Sequence, residues 1–318
     1  MKRGPAIAGP AAFAAYALTT TVVRAQSSPT QLRVATAPEE DAVATLYAQE
    51  SGIFRRLGLD VTVTAAASGS SIAAAVVGGT IDIGKSSLAG LITAHTKGIP
   101  FTLIAPAGEY NAELPITGTV ALASSTIKSA RDLSGKTVSV QSLRGSMQIG
   151  TMNWIDQNGG DSSLVHFIEL PPSLVSQALE SKRVDAATFA NPELAEALAT
   201  KNVRVIGWSQ GSIGSHYLLA AYFTTIDFAQ KNAATVSRFA QGLQQAATYT
   251  NAHHAETASL VSAFTKVSPA VVASMNRVTC GLQLDPREIQ PLIDASVKYK
   301  LIPARFDAGD MIFTPPNG

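Results

Sequence analysis

From residue 32 onward, short apolar runs alternate with longer stretches whose apolar positions recur at helical spacing. Residues 32–36 (LRVAT) read as a strand and 42–50 as a helix that Gly52 is placed to end. Residues 61–66 read as a strand, 71–77 as a helix closed by Gly78 and Gly79, and 81–84 as a short strand. Residues 88–97 read as a helix stopped by Gly98, with Pro100 just beyond, and 101–105 as a strand. The rhythm then repeats, with strands at 137–141, 165–170, 185–189 and 203–208 and helices at 146–157 and 174–181. Strands alternating with helices of about ten residues predict a mostly parallel sheet covered on both faces.

Two segments break this rhythm. Residues 116–124 and 217–225 are long, apolar and rich in β-branched or aromatic side chains, and they bracket the second block of strands and helices. They read as strands crossing between two domains. Residues 227–299 turn helical, with Val236, Phe239, Leu243, Ala246 and Ala247 at helical spacing, and are expected to pack on the first domain. A weak internal echo supports two similar units. A helix, a short strand opened by an Asp (Asp82, Asp185) and a polar turn into a helix occur once in each half. The simplest architecture is α/β with two lobes. Residues 31–115 with 226–318 form the first, and 116–225 form the second with a crossing segment at each end. A ligand would sit between the lobes, at the carboxyl ends of the strands, where helix N-termini converge.

The first 25 residues change the count. Lys2 and Arg3 precede an apolar, Ala-rich run, and Val23-Arg24-Ala25 places small residues at −3 and −1 of a cut before Gln26. That is the three-part pattern of a secretory signal peptide. A membrane anchor is disfavoured because Gly4, Pro5, Gly9 and Pro10 interrupt a weakly hydrophobic run. The leader removes three of the 24 basic residues and none of the 23 acids, so the net charge moves from +1 to −2. An exported, slightly acidic protein has no electrostatic footprint for nucleic acid. Apolar residues are 46% of the chain, enough to build a core. The single cysteine, Cys280, excludes an intrachain disulfide and a cysteine-rich zinc site, and reads as a buried small hydrophobe.

Several runs resemble a known family. Ala48-Gln49-Glu50-Ser51-Gly52-Ile53-Phe54 followed by Gly58-Leu59-Asp60-Val61 resembles its A-x-E-x-G-x-F … G-L-x-V opening. Residues 77–84 (VGGTIDIG) also match it, and 132–138 (DLSGKTV) resemble its entry to the second lobe. The family is the sulfonate, nitrate, taurine and thiamine-precursor binding proteins of ABC importers. The resemblance covers nearly all of residues 31–300. It implies a type II periplasmic-binding-protein-like fold and a monomer in the periplasm that closes on one small solute. The partners it implies are a membrane permease and its ATPase. It implies no cofactor and no catalytic residue.

Candidate contacts lie in turns that follow strands and open helices, where unpaired backbone N–H groups suit an anionic group. Ser70 and Ser71, Ser86 and Ser87, and Ser146 supply hydroxyls there, and Arg144 adds a fork donor for carboxylate, sulfonate or phosphate. The same serines would also serve as ordinary N-caps. The turn at 37–41 departs from a plain anion site, because Glu39, Glu40 and Asp41 would repel an anion. Either these acids complement a helix dipole, or Glu39 or Glu40 holds a ligand amine or ring N–H, which makes the solute zwitterionic or heteroaromatic. Tyr110, Asn111, Asn191 and His216 are further candidates to line the cleft. The expected solute is a small organic anion or zwitterion, sulfonate-, carboxylate- or pyrimidine-like.

Two other functions are compatible with the same fold. The same fold family contains a thiamine-pyrimidine synthase, but that relative is cytosolic and carries a cysteine-rich stretch. A binding protein feeding a membrane sensor is the other alternative. Residues 79–86 fit the phosphate-loop pattern G-x-x-x-x-G-K-S, yet a helix precedes Gly79 and residues 80–83 are strand-like, so no nucleotide loop is expected. Ser125-Thr126-Ile127-Lys128 matches S-x-x-K without its companion motifs. The five histidines are scattered, and no metal site is expected.

Overall fold

The computed structural model describes Met1, Lys2, Gly4 and residues 28–315, so the leader reading lies outside the described residues. The first half runs β1 (Thr30–Thr36), α1 (Val43–Glu50), α2 (Ile53–Arg56), β2 (Leu59–Ala65), α3 (Gly69–Val77), β3 (Ile83–Ser87), α4 (Leu88–Thr96), β4 (Phe101–Pro106) and β5 (Gly108–Asn111). Next come β6 (Thr117–Leu122), β7 (Thr137–Val140), α5 (Ser146–Gln157), β8 (His166–Glu169), α6 (Val175–Glu180), β9 (Ala186–Ala190), α7 (Glu193–Ala199) and β10 (Val203–Gly207). The chain ends with β11 (His216–Leu218), β12 (Ala220–Thr225), α8 (Ile226–Lys231), α9 (Ala233–Ala252), α10 (His254–Thr265), α11 (Pro269–Ser274), β13 (Thr279–Cys280) and α12 (Pro286–Lys298).

The strands form two five-stranded sheets and a small third one. The first has the order β2-β1-β3-β12-β4, the second β8-β7-β9-β6-β10, and the third β11-β5-β13. In the first sheet β1 runs parallel to β2 and β3, and β12 is antiparallel to its neighbours. In the second β7 runs parallel to β8 and β9, and β6 is antiparallel. The two sheets therefore share one topology, which is a two-lobed mixed α/β architecture.

The echoed aspartates do the same work in both sheets. Asp82 accepts the backbone N–H of Arg33 at 2.8 Å, and Asp185 accepts that of Thr137 at 2.9 Å. Each aspartate thereby fixes the entry of a parallel strand beside its neighbour, β3 beside β1 and β9 beside β7. Both sheets are covered on both faces. Successive side chains of a strand point to opposite faces, so Val34 and Ala35 enter separate core clusters, as do Val120 and Ala121.

The helical tail packs around the first sheet. Phe239 of α9 stacks on Phe54 with centroids 5.3 Å apart, while Ile289, Leu292 and Ile293 of α12 join the core on the other face. The tail also reaches the second lobe, where Lys298 donates to Asn153 Oδ1 at 2.7 Å and the Tyr299 hydroxyl donates to Asp156 at 2.7 Å.

Two local readings change. Residues 84–87 were expected as a turn, but β3 continues through them, because Lys85 and Ser86 pair with Tyr222 and Ala221 of β12. The long apolar segment at 116–124 holds the interior strand β6, and that at 217–225 holds the end of β11 and then the interior strand β12; β6 and β12 each lie in one sheet and are buried on both faces. The backbone that passes between the lobes is the adjacent antiparallel pair β5 and β11, in which Tyr110 faces Tyr217. An interior strand is apolar throughout because both of its faces are buried.

Candidate functional site

A cavity of about 400 Å³ opens between the two large sheets. Strand ends and helix starts from both lobes meet there. The first lobe contributes the 37–41 turn after β1, Ser87 at the start of α4, and Leu219 and Ala220 at the start of β12. The second contributes Gln141 after β7, Ser146 and Met147 at the start of α5, and residues 190–193 between β9 and α7. This is the crevice at the carboxyl ends of parallel strands that open α/β sheets offer to ligands.

The acidic turn is built around a buried cation. Lys85 Nζ donates to Glu39 Oε2 at 2.7 Å and to Asp41, with only 1% of the lysine side chain exposed. Burial disfavours the Lys85 ammonium, but the two carboxylates outweigh it and hold its pKa above the ordinary lysine value. Lys85 in turn holds Glu39 below the usual carboxylate range, while burial pushes Asp41 up. Glu40 pairs with Arg277, whose guanidinium also donates to the His254 carbonyl at 2.9 Å. Burial raises Glu40 in spite of that partner. Half of the Glu39 side chain remains exposed. Glu193 lies across the cavity, and no ion pair to it is formed among the described residues. Burial first, and then the charges of Glu196 and Glu39, raise its pKa.

Six of the singled-out residues line this cavity: Glu39, Glu40, Asp41, Ser87, Ser146 and Asn191. The Ser87 hydroxyl accepts the Gly90 N–H at 3.3 Å, capping α4, and Asn191 donates to the Asn276 carbonyl at 2.9 Å. Ser146 begins α5, whose N-cap is Gly145 and which receives no side-chain cap.

The others lie elsewhere. Ser71 forms a capping box with Ser68 at the start of α3, and the Ser70 hydroxyl bonds to that of Ser68 at 3.0 Å. Ser86 packs over Gly69 from β3. Tyr110 is buried against Tyr217 with ring centroids 5.4 Å apart. Arg144, in a left-handed turn, donates to the Leu301 carbonyl. His216 sits on β11 opposite Asn111.

Sequence reasoning passed over Gln141, Gln210 and Glu193 as lining residues and Lys85 as the ion that organises the acidic turn. A single lysine inside an otherwise small and apolar strand was the available signal for Lys85. Gln210 lines the cavity and accepts the Tyr217 hydroxyl at 2.5 Å, tying the cavity wall to the crossing strands. Cys280 is buried, and burial pushes its thiol pKa up to about 12, so it is an inert small hydrophobe.

Known proteins resemble this arrangement. The periplasmic aliphatic sulphonate binding protein SsuA from Escherichia coli superposes with a TM-score of 0.74 at 20% identity, covering 91% of this chain and 94% of that one. The alkanesulfonate-binding protein SsuA from Xanthomonas axonopodis pv. citri, bound to MOPS, gives 0.73 at 17% identity over 90% and 99% of the two chains. The periplasmic nitrate-binding protein NrtA from Synechocystis PCC 6803 gives 0.71 at 15% identity over 89% and 84%. These likenesses establish the periplasmic-binding-protein fold. No curated protein matches the chain in sequence. The family model described as NMT1/THI5 like matches residues 40–257, more than half of the sequence, and the chain belongs to that family.

Proposed function

We propose that this protein is the solute-capturing component of an ABC import system, and that it binds rather than transforms its ligand. The observation that carries the reading is the cavity lined by both lobes, set beside a pair of crossing strands. A solute touching both walls favours the closed arrangement by its differential contacts, which is all that capture requires. The proteins that share the fold support the reading, since their descriptions name sulfonate and nitrate binding. In this reading the leader directs export and is cut before Gln26. The mature protein works in the periplasm as a monomer and delivers its solute to a permease and ATPase. The lobes in this reading follow the two large sheets, one with β1 to β4, β12 and the helical tail and the other with β6 to β10, so that β12 goes with the first lobe rather than with 116–225, and β5 and β11 act as the hinge. Among the described residues no helix is long and apolar enough to cross a membrane.

Of the singled-out residues, Glu39, Ser87, Ser146 and Asn191 are proposed as ligand contacts, because each faces the cavity. Binding raises the melting temperature according to ligand concentration relative to Kd, by about 2.7 kcal/mol of stability at a hundredfold excess. The test pairs a fluorescent label on each lobe and follows their separation as solutes are added. A shortened distance, together with a raised melting temperature, is expected. A protein that stabilises with a ligand while its lobes stay fixed would contradict capture by closure.

A further inference from the structure

The charges around the cavity identify the class of solute more narrowly than the fold does. Among the described residues no lysine, arginine or histidine lines it. Glu39, Glu40, Asp41 and Glu193 all line it, and the cations bonded to them are Lys85 and Arg277. With all four carboxylates ionised, two negative charges are left unbalanced by the two cations. Those charges are unevenly placed. Arg277 answers Glu40, and Lys85 is shared by Glu39 and Asp41, so one excess charge belongs to the first lobe. The other is Glu193 at the start of α7 in the second lobe. The opposing influence is the start of α5, where Ser146 and Met147 line the same cavity. A helix N-terminus presents about half a positive charge. It suits a carbonyl or a second polar end, and it is too small to reverse the sign of the cavity.

We propose that the solute carries a positively charged nitrogen, an ammonium, amidinium or protonated amino-heterocycle, seated between the Glu39 and Glu193 carboxylates of the two lobes. This rests on the reading of the cleft as a solute site. It separates this chain from the proteins described as binding sulfonates and nitrate, whose ligands are anions. It also gives closure a cause. With the cleft empty, Glu39 and Glu193 repel each other across it. A cation between them removes the repulsion and is attracted to both walls, so the same charge supplies recognition and draws the lobes together. Glu193 is raised chiefly by burial and then by Glu196 and Glu39, and the last of these places the two carboxylates within each other's field. A cavity of about 400 Å³ lies in the range of small-molecule sites.

The test uses matched probes: putrescine, agmatine and choline against butanesulfonate and nitrate. Each is titrated by calorimetry and thermal shift into the mature protein, Glu193→Gln and Glu196→Gln. Glu196 lies on the same helix but outside the cavity lining. At least one cationic probe is expected to bind the wild type, at least tenfold more weakly to Glu193→Gln and within twofold to Glu196→Gln. Its wild-type affinity is also expected to fall as salt rises, a measurement that does not depend on any variant folding. Binding of butanesulfonate or nitrate without any cation would overturn the charge assignment and leave the solute-site reading standing. Cation binding indifferent to both salt and Glu193→Gln would do the same. If no probe of either charge raises the melting temperature, the solute-site reading falls and takes this inference with it.

Discussion

Lys85 keeps its charge where water does not reach, and two acids of the 37–41 turn make that possible. Its partners are 46 and 44 residues away in sequence, so no local pattern announces the pairing. Removing one member of a buried ion pair leaves the other charge uncompensated, which destabilises by about 3–5 kcal/mol. Lys85→Ala is therefore expected to lower unfolding stability by about that amount in urea denaturation. Lys231→Ala, at a pair with Asp227 exposed on both sides, should change it by less than about 1 kcal/mol. Equal effects would show that burial is not what gives the Lys85 pair its value. The acids at 39–41 were legible as a departure from an anion site. Their division into a Lys85 pair and an Arg277 pair was not, because Arg277 lies 237 residues from Glu40.

At the scale of elements, the small sheet that joins the lobes holds an unusual acid. Glu109 of β5 is pushed up to about 7, first by burial and then by the neighbouring Glu288 carboxyl on α12. Glu288 is itself raised, first by burial and then by Asp285, with His216 on β11 acting in the opposite sense. A carboxyl whose folded pKa is raised binds its proton more tightly in the folded state. Its contribution to stability is complete below the unfolded value near 4.5 and is lost as pH rises through about 7. Melting temperature should therefore decline across that window, and Glu109→Gln should flatten the decline. An unchanged slope in the variant would assign the pH dependence to other groups. The sequence marked this region through its apolar runs, the second of which took in Tyr217 and Leu218 of β11, but otherwise located the crossing in β6 and β12. Those runs report burial on two faces, whereas the short strands β5 and β11 that make the crossing carry little periodic signal.

For the whole molecule, the tail is what ties one lobe to the other away from the cleft. Asn153 of α5 takes Lys298 on its carbonyl side at 2.7 Å and donates to the Ser212 carbonyl at 2.7 Å. Asn153→Ala removes the shorter of two side-chain donors to the half-buried Ser212 carbonyl, leaving Gln157 at 3.3 Å, and frees the Lys298 ammonium. It is expected to cost about 1–3 kcal/mol in equilibrium denaturation. A loss under about 0.3 kcal/mol, within the noise of ordinary surface substitutions, would show that this contact does not hold the lobes. Arg144 belongs to the same seam through Leu301. A guanidinium in a glycine-bearing turn before a helix reads in sequence as an anion contact. Only the course of the tail, 157 residues further on, reveals another partner for it.

The alternation of strands and helices, its recurrence in two halves and the echoed aspartates could be read directly from the chain. Each depends on side-chain periodicity or on residues a few positions apart, and both lobes follow from them. The sign of the cleft could not be read that way. It depends on which carboxylates meet Lys85 and Arg277, which meet no cation, and which strand passes between the lobes. Charges separated by tens to hundreds of residues are brought within hydrogen-bond distance only when both sheets have formed, and their balance is a property of that assembled space.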